Sequence, residues 1–145
     1  MGTVRDILQA KGHAVYSIHP DITVFEALSV LVDKNVGALI VLDNDKVCGI
    51  FSERDYARRV IVKGRASKET LIREIMTENP ISVTENDSIE DCMVKMTEKH
   101  IRHLPVIDHQ GRLIGMISIG DVVKYIINEQ KYIINNLEGY IKGTR

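Results

Sequence analysis

This chain is written twice, and the duplication limits what it can fold into more than any other feature. Residues 17–43 (SIHPDITVFEALSVLVDKNVGALIVLD) return 65 positions later, with conservative changes, as residues 82–108 (SVTENDSIEDCMVKMTEKHIRHLPVID). Each copy then ends in a Gly-x-x-Ser-x-x-Asp run, Gly49 to Asp55 and Gly115 to Asp121; the second lies 66 positions on because the intervening turn has gained one residue. Units of about 60 residues bury too little surface to be stable alone. The two copies are therefore expected to pack face to face around a shared core, with binding clefts between them.

Composition narrows the partners. With 44% hydrophobic and 27% charged residues and a net charge of −1, the chain reads as an ordinary globular protein. That charge gives no electrostatic reason to expect nucleic acid or an anionic membrane. No run reaches the roughly 20 apolar residues of a membrane span, and the N-terminal pattern is not that of a secretory signal, so the cytoplasm is the expected location. Cys48 and Cys92 are isolated in apolar surroundings and read as small buried hydrophobes in a reducing compartment.

Each copy reads in the same order. A short helical turn (residues 4–8, echoed by 72–76) precedes a short strand (15–18; 81–83). An amphipathic helix follows, with apolar residues at Val24, Ala27, Leu28, Leu31 and Val32, and at Ile89, Cys92, Met93 and Met96. Thr23 with Glu26, and Ser88 with Asp91, are helix-start signals. Residues 38–42 and 104–107 then read as strands buried on both faces; polar turns lead to strands 47–52 and 113–118, and a second helix starts after each Ser. The expected fold class is α+β: two tandem β-α-β-β-α units, residues 1–65 and 66–127, related by a pseudo-twofold axis. Residues 67–70 can start a helical turn in the connector. The last helix is expected to run from Gly120 to about Tyr140, longer than the module needs, with apolar residues to Ile141. The extension, residues 128–145, is expected to support self-association as a homodimer.

Ser52 and Asp55, with Ser118 and Asp121, stand at strand-to-helix junctions where three-residue spacing puts hydroxyl and carboxylate on one side of the first turn. Two readings fit: a helix cap, or a carboxylate that accepts hydrogen bonds from the 2′ and 3′ hydroxyls of a ribose while the helix N-terminus attracts phosphate. Arg102 and His103 precede the second buried strand where the first copy has Gly37 and Ala38. They are either a solvated strand end or, facing inward, donors for phosphate oxygens, with Arg54 as a third. Gly37 and Ala38 would leave room in the other cleft, so the clefts are expected to differ. Phosphate-loop, dinucleotide, nucleophile-elbow and zinc-protease motifs are missing, and the five histidines are scattered, so neither catalysis nor a metal site is expected.

The repeated order, the Ile101-Arg102-His103-Leu104-Pro105 strand entry and the Phe51-Ser52-Glu53-Arg54-Asp55-Tyr56-Ala57 junction resemble a pair of CBS domains, the Bateman module, over about residues 4–127. They look most like stand-alone CBS pairs of bacteria and plant organelles. The resemblance implies a non-enzymatic sensor of adenine nucleotides: AMP foremost, with ADP, ATP or NAD as further ligands. One implied cleft joins Ser52 and Asp55 (ribose) to Ile81, Val83 and Ile101 (adenine pocket) and to Arg102 and His103 (phosphate). The pseudo-symmetric cleft joins Ser118 and Asp121 to Tyr16, Ile18, Val36 and Ala38. The resemblance also implies flat dimers of two modules and an unidentified regulated protein that reads ligand occupancy. The competing expectation is a dimerisation or adaptor protein whose clefts are vestigial.

Overall fold

Capping and apolar periodicity resolve into a mixed α+β architecture in a computed structural model, which describes residues 2–141. The last four residues of the expected extension, 142–145, lie outside the described residues. In chain order the first half contains α1 (Val4–Lys11), β1 (Ser17–Ile18), α2 (Val24–Lys34), β2 (Ala38–Asp43), β3 (Lys46–Ser52) and the short α3 (Glu53–Asp55). α3 continues as a π-helical stretch, Tyr56–Ile61. Then come α4 (Ile72–Ile75), β4 (Thr77–Glu78), α5 (Ile89–Lys99), β5 (His103–Ile107), β6 (Leu113–Ser118) and α6 (Ile119–Ile141).

The caps read from sequence are present. Thr23 Oγ1 accepts the Glu26 N–H at 3.1 Å and Ser88 Oγ accepts the Asp91 N–H at 3.0 Å, opening α2 and α5. Both helices end on a left-handed residue, Asn35 at φ 53° and His100 at φ 54°. The β2–β3 and β5–β6 hairpins are antiparallel and share a register: Ala38 pairs with Ser52, His103 with Ser118, and each ladder slips once near its turn, at Val41/Leu42 and Val106/Ile107.

Three elements depart from expectation. The strand expected at 81–83 shrinks to one parallel bridge, Val83 to Val106, because Asn79 takes a left-handed φ of 47° and Pro80 has no N–H to give a ladder. Thr77 and Glu78, with no apolar pattern to announce them, pair with Ile50 and Gly49 as β4, giving a four-stranded sheet of order β1-β2-β3-β4 beside the two-stranded β5-β6 sheet. The helical start expected at 67–70 is only a turn at 67–69, where Thr70 Oγ1 donates to the Ala66 carbonyl at 2.8 Å, and the helix is confined to Ile72–Ile75, within the turn expected at 72–76.

In place of the one shared core expected, two hydrophobic cores form, each closed by a helix exchanged between the repeats, so the sequence order of the repeats does not set their membership. One core gathers Ile18, Val24, Ala27, Leu31, Leu39, Val41 and Phe51 with Ile72 and Ile75 of α4 and Met76 just after it. The other gathers Val83, Ile89, Cys92, Met96, Leu104, Val106 and Ile117 with Val4, Ile7 and Leu8 of α1. The N-terminal helix thus serves the distant repeat. Matching backbone bonds dock the two helices: Val4 and Arg5 N–H donate to the Asp87 and Glu85 carbonyls, as Ile72 and Arg73 N–H donate to those of Ile22 and Pro20.

The same docking explains the glycine that opens each Gly-x-x-Ser-x-x-Asp run. A Cβ on Gly49 would lie 2.6 Å from Met76 Sδ and 2.9 Å from the Thr77 carbonyl oxygen; on Gly115 it would lie 2.9 Å from Leu8 Cδ2. Both glycines admit a docked helix against the strand. Overpacking costs about 1–3 kcal/mol, and a leucine methyl can turn away where a backbone oxygen cannot. Gly49→Ala is therefore expected to lower the urea midpoint more than Gly115→Ala; equal losses, or the reverse order, would contradict this packing account.

Candidate functional site

The strand-to-helix junctions place Ser52 and Asp55 at one end of the first hairpin, and Ser118 and Asp121 at the same end of the second. Each is first of all a cap. Ser52 N–H and Oγ–H donate to Asp55 Oδ2 at 2.9 and 3.0 Å, and Asp55 N–H returns a bond to Ser52 Oγ at 3.2 Å. Ser118 N–H donates to Asp121 Oδ2 at 2.8 Å and Asp121 N–H to Ser118 Oγ at 3.1 Å. The next amide in each helix is also in use: Glu53 N–H donates to the Gly37 carbonyl and Ile119 N–H to that of Arg102. With two first-turn amides engaged, side chains must supply most of the donors for any anion bound here.

The two carboxylates differ beyond the cap. Asp55 is buried, its side chain 12% exposed; Thr77 Oγ1–H donates to Oδ1 at 3.0 Å and Arg59 Nε stands 4.0 Å from the same oxygen. Asp121 is more open, at 22%, and pairs with Lys11, whose Nζ donates to Oδ2 at 2.7 Å and to the Met116 carbonyl at 2.9 Å. Burial is the largest influence on Asp121 and works to raise its pKa. The Lys11 ammonium and the Ser118 amide together outweigh it, so the carboxyl titrates below its ordinary value. Lys11, Thr77 and Arg59 lie outside the Gly-x-x-Ser-x-x-Asp runs, so comparing those runs could not find them; Lys11 also lies beyond the helical turn expected at residues 4–8, and reaches the junction because α1 runs on to Lys11.

The cations expected at the phosphate have different surroundings. Arg54 Nη1 donates to the His100 carbonyl at 2.7 Å, so one arm of its guanidinium ties α3 to the end of α5 across the two halves. Arg102 is exposed. His103 faces the other copy: a Cβ on Gly37 would meet its ring at 3.8 Å and Glu53 Oε1 at 3.5 Å. Burial, the leading effect, lowers the His103 pKa; the charges of Asp121 and Glu53 oppose it and those of Lys11 and Arg102 reinforce it. His103 thus shares its electrostatic surroundings with Asp121 as well as with the first copy.

Among the apolar candidates, Ile18, Ala38 and Val83 are buried and Val36, Ile81 and Ile101 pack at the core edges. Tyr16 is exposed, with Lys34 Nζ 5.5 Å from its ring centroid. A cavity of about 370 Å³ lies elsewhere, between the hairpin turns and the connector, lined by Lys46, Asn79, Ser82 and Gln110 among others; neither aspartate borders it. Burial raises the pKa of both cysteines, that of Cys92 to about 11, so neither thiol is activated. No described helix is long and apolar enough to cross a membrane.

Comparison with known proteins places these features. The CBS-domain family profile matches residues 4–62 and 72–128. A mitochondrial CBS-domain protein of Arabidopsis thaliana is 39% identical over 97% of this chain and 72% of its own length. A protein with CBS domains from Burkholderia ambifaria, whose structure has been solved, is 45% identical, with a TM-score of 0.84 over 88% of this chain and 96% of its own. The CBS-domain pair of protein MJ0100, solved in complex with 5′-methylthioadenosine and S-adenosyl-L-methionine, is 26% identical, with a TM-score of 0.77 over 88% of this chain and 97% of its own. Two complete repeats, the paired Ser–Asp junctions and a match spanning nearly the whole sequence make this chain a member of the CBS-domain family, built as a tandem pair.

Proposed function

We propose that this chain is a non-enzymatic sensor of adenine nucleotides, AMP foremost and NAD or ATP as further ligands, that works in the cytoplasm and reports occupancy to a partner protein. The observation that carries the proposal is the pair of partly buried carboxylates at equivalent junctions, each held by a serine cap in a fixed orientation. A carboxylate so fixed presents acceptors that match a ribose diol. The adenosine compounds bound by the MJ0100 pair favour a nucleoside as the common element. In this reading Ser52 and Asp55, and Ser118 and Asp121, hold ribose; Tyr16, Ile18, Val36, Ala38, Ile81, Val83 and Ile101 frame the base; and Arg54, Arg102 and His103 serve phosphate. Ligand spanning both copies favours one relative placement of the halves, which a partner able to tell the two states apart can read.

The C-terminal helix favours an assembly role beside sensing. Beyond Ile126, α6 leaves the core and exposes Ile127, Tyr132, Ile133, Ile134, Leu137 and Tyr140. A contiguous apolar face of this kind marks a protein contact, and a second copy of the chain fits it as a homodimer partner. Ile134→Glu combined with Leu137→Glu should convert a dimer to a monomer in analytical ultracentrifugation. A wild-type protein that sediments as a monomer would exclude this interface.

Micromolar AMP should raise the Tm of the wild-type protein, and Asp55→Ala combined with Asp121→Ala should remove that rise. No shift with AMP, ATP, NAD or S-adenosylmethionine would refute the sensor reading. A pH dependence follows from His103. Burial holds its free-state pKa below the ordinary 6.5, so it is neutral at pH 7, whereas a bound phosphate favours the cation and raises the pKa in the complex. Proton uptake then accompanies binding, so AMP affinity should rise as pH falls through the complex value and level off below the free value, by about tenfold per unit of separation. His103→Gln, which shares the ligand's own titration, should lose that increment; identical profiles would remove His103 from the phosphate site.

A further inference from the structure

The cleft at Asp121 lacks an Arg-His pair of its own, because the first repeat has Gly37 and Ala38 where the second has Arg102 and His103. Helix α1 fills that gap from outside the repeats. It docks in the core of the second repeat through Val4, Ile7 and Leu8, and its last turn carries Lys11 to the junction, where Nζ meets Asp121 Oδ2 at 2.7 Å. At the other junction the neutral Thr77 hydroxyl meets Asp55 Oδ1 at 3.0 Å and the cation, Arg59, stands farther off, at 4.0 Å. We infer that Lys11 is the specificity-determining residue of the Asp121 cleft: it guards the carboxylate when no ligand is bound and turns to the phosphate when a ribose diol takes its place.

The inference rests on the nucleotide reading above and names the ligand class for one of its two sites, a nucleoside carrying a phosphate. Its logic is a competition at one oxygen. Lys11 and the Ser118 amide both converge on Asp121 Oδ2, and a diol that approaches the carboxylate must share or displace the ammonium. A displaced ammonium near the cleft needs a new anion. A lysine on a flexible four-carbon stem can swing to one, and the partial exposure of Lys11 and Asp121, 34% and 22%, leaves room for that swing. Two of the first-turn amides, those of Ile119 and Asp121, are already bonded and offer the phosphate nothing. An uncharged nucleoside offers no replacement partner, so it has to break the pair without compensation. By this reasoning the cleft poorer in cations by repeat comparison discriminates more sharply between AMP and adenosine.

The test isolates the Asp121 cleft. Calorimetric titrations with AMP and with adenosine are run on wild type, on Asp55→Ala, and on Asp55→Ala combined with Lys11→Met or Lys11→Arg; Asp55→Asn, which preserves the cap geometry, replaces Asp55→Ala if the latter does not fold. In the Asp55 background AMP should bind about tenfold more tightly than adenosine, the scale of one charge-assisted bond. Lys11→Met should bring that ratio close to one by weakening AMP while adenosine holds or tightens, and Lys11→Arg should retain the preference. An unchanged ratio in Lys11→Met would overturn the inference and leave the sensor reading standing. So would nucleotide binding to wild type that vanishes in both Asp55 variants, since the Asp121 cleft would then be idle. Absence of binding to wild type would instead defeat the sensor reading itself.

Discussion

Helix α1 joins the two repeats, and most of the molecule's organisation follows from where it packs. Its apolar residues Val4, Ile7 and Leu8 are 0–2% exposed in the core of the second repeat, while the chain that follows it enters the first repeat's sheet at β1. Burying three such side chains contributes on the order of 1.5–3 kcal/mol each, enough to bind halves that would be marginal apart. The glycine at the head of each Gly-x-x-Ser-x-x-Asp run is the matching concession on the strand side. Because α4 docks on the first repeat by the same backbone bonds, the pseudo-twofold relation extends from the strands to the helices that clamp them.

That exchange also breaks the symmetry at the junctions. Both serine–aspartate pairs are built by the same capping geometry, but the helix brought beside Asp121 ends in a lysine, and the strand brought beside Asp55 offers a threonine. The carboxylate that is more open is the one that is ion-paired; the more buried one is satisfied by neutral donors. Burying an unpaired charge costs far more than burying a hydrogen-bonded one, and the capping bonds and Thr77 let Asp55 be enclosed with Arg59 no nearer than 4.0 Å.

Much of this was legible in the sequence because periodic patterns and caps are local. The helices opened by Thr23 and Ser88, both hairpins, the long final helix and the paired junctions all follow from residues within a few positions of one another. What escaped was set by contacts distant in sequence. Thr77 and Glu78 become a strand only because Gly49 lets them approach. Lys11 reaches Asp121 across 110 positions, a distance at which no spacing rule applies. Comparing repeats also had no means of finding the 2.7 Å cation contact to Asp121, because Lys11 comes from outside the duplicated runs.

The central claim is that the Ser–Asp junctions are ribose sites as well as caps, and a crystal structure of the protein grown with AMP tests it most directly. The account predicts ribose hydroxyls about 3 Å from the carboxylate of Asp55 or Asp121, with the base against residues of the opposite repeat. AMP seated in the cavity beside Lys46 and Gln110, with both aspartates keeping only their present partners, would contradict it.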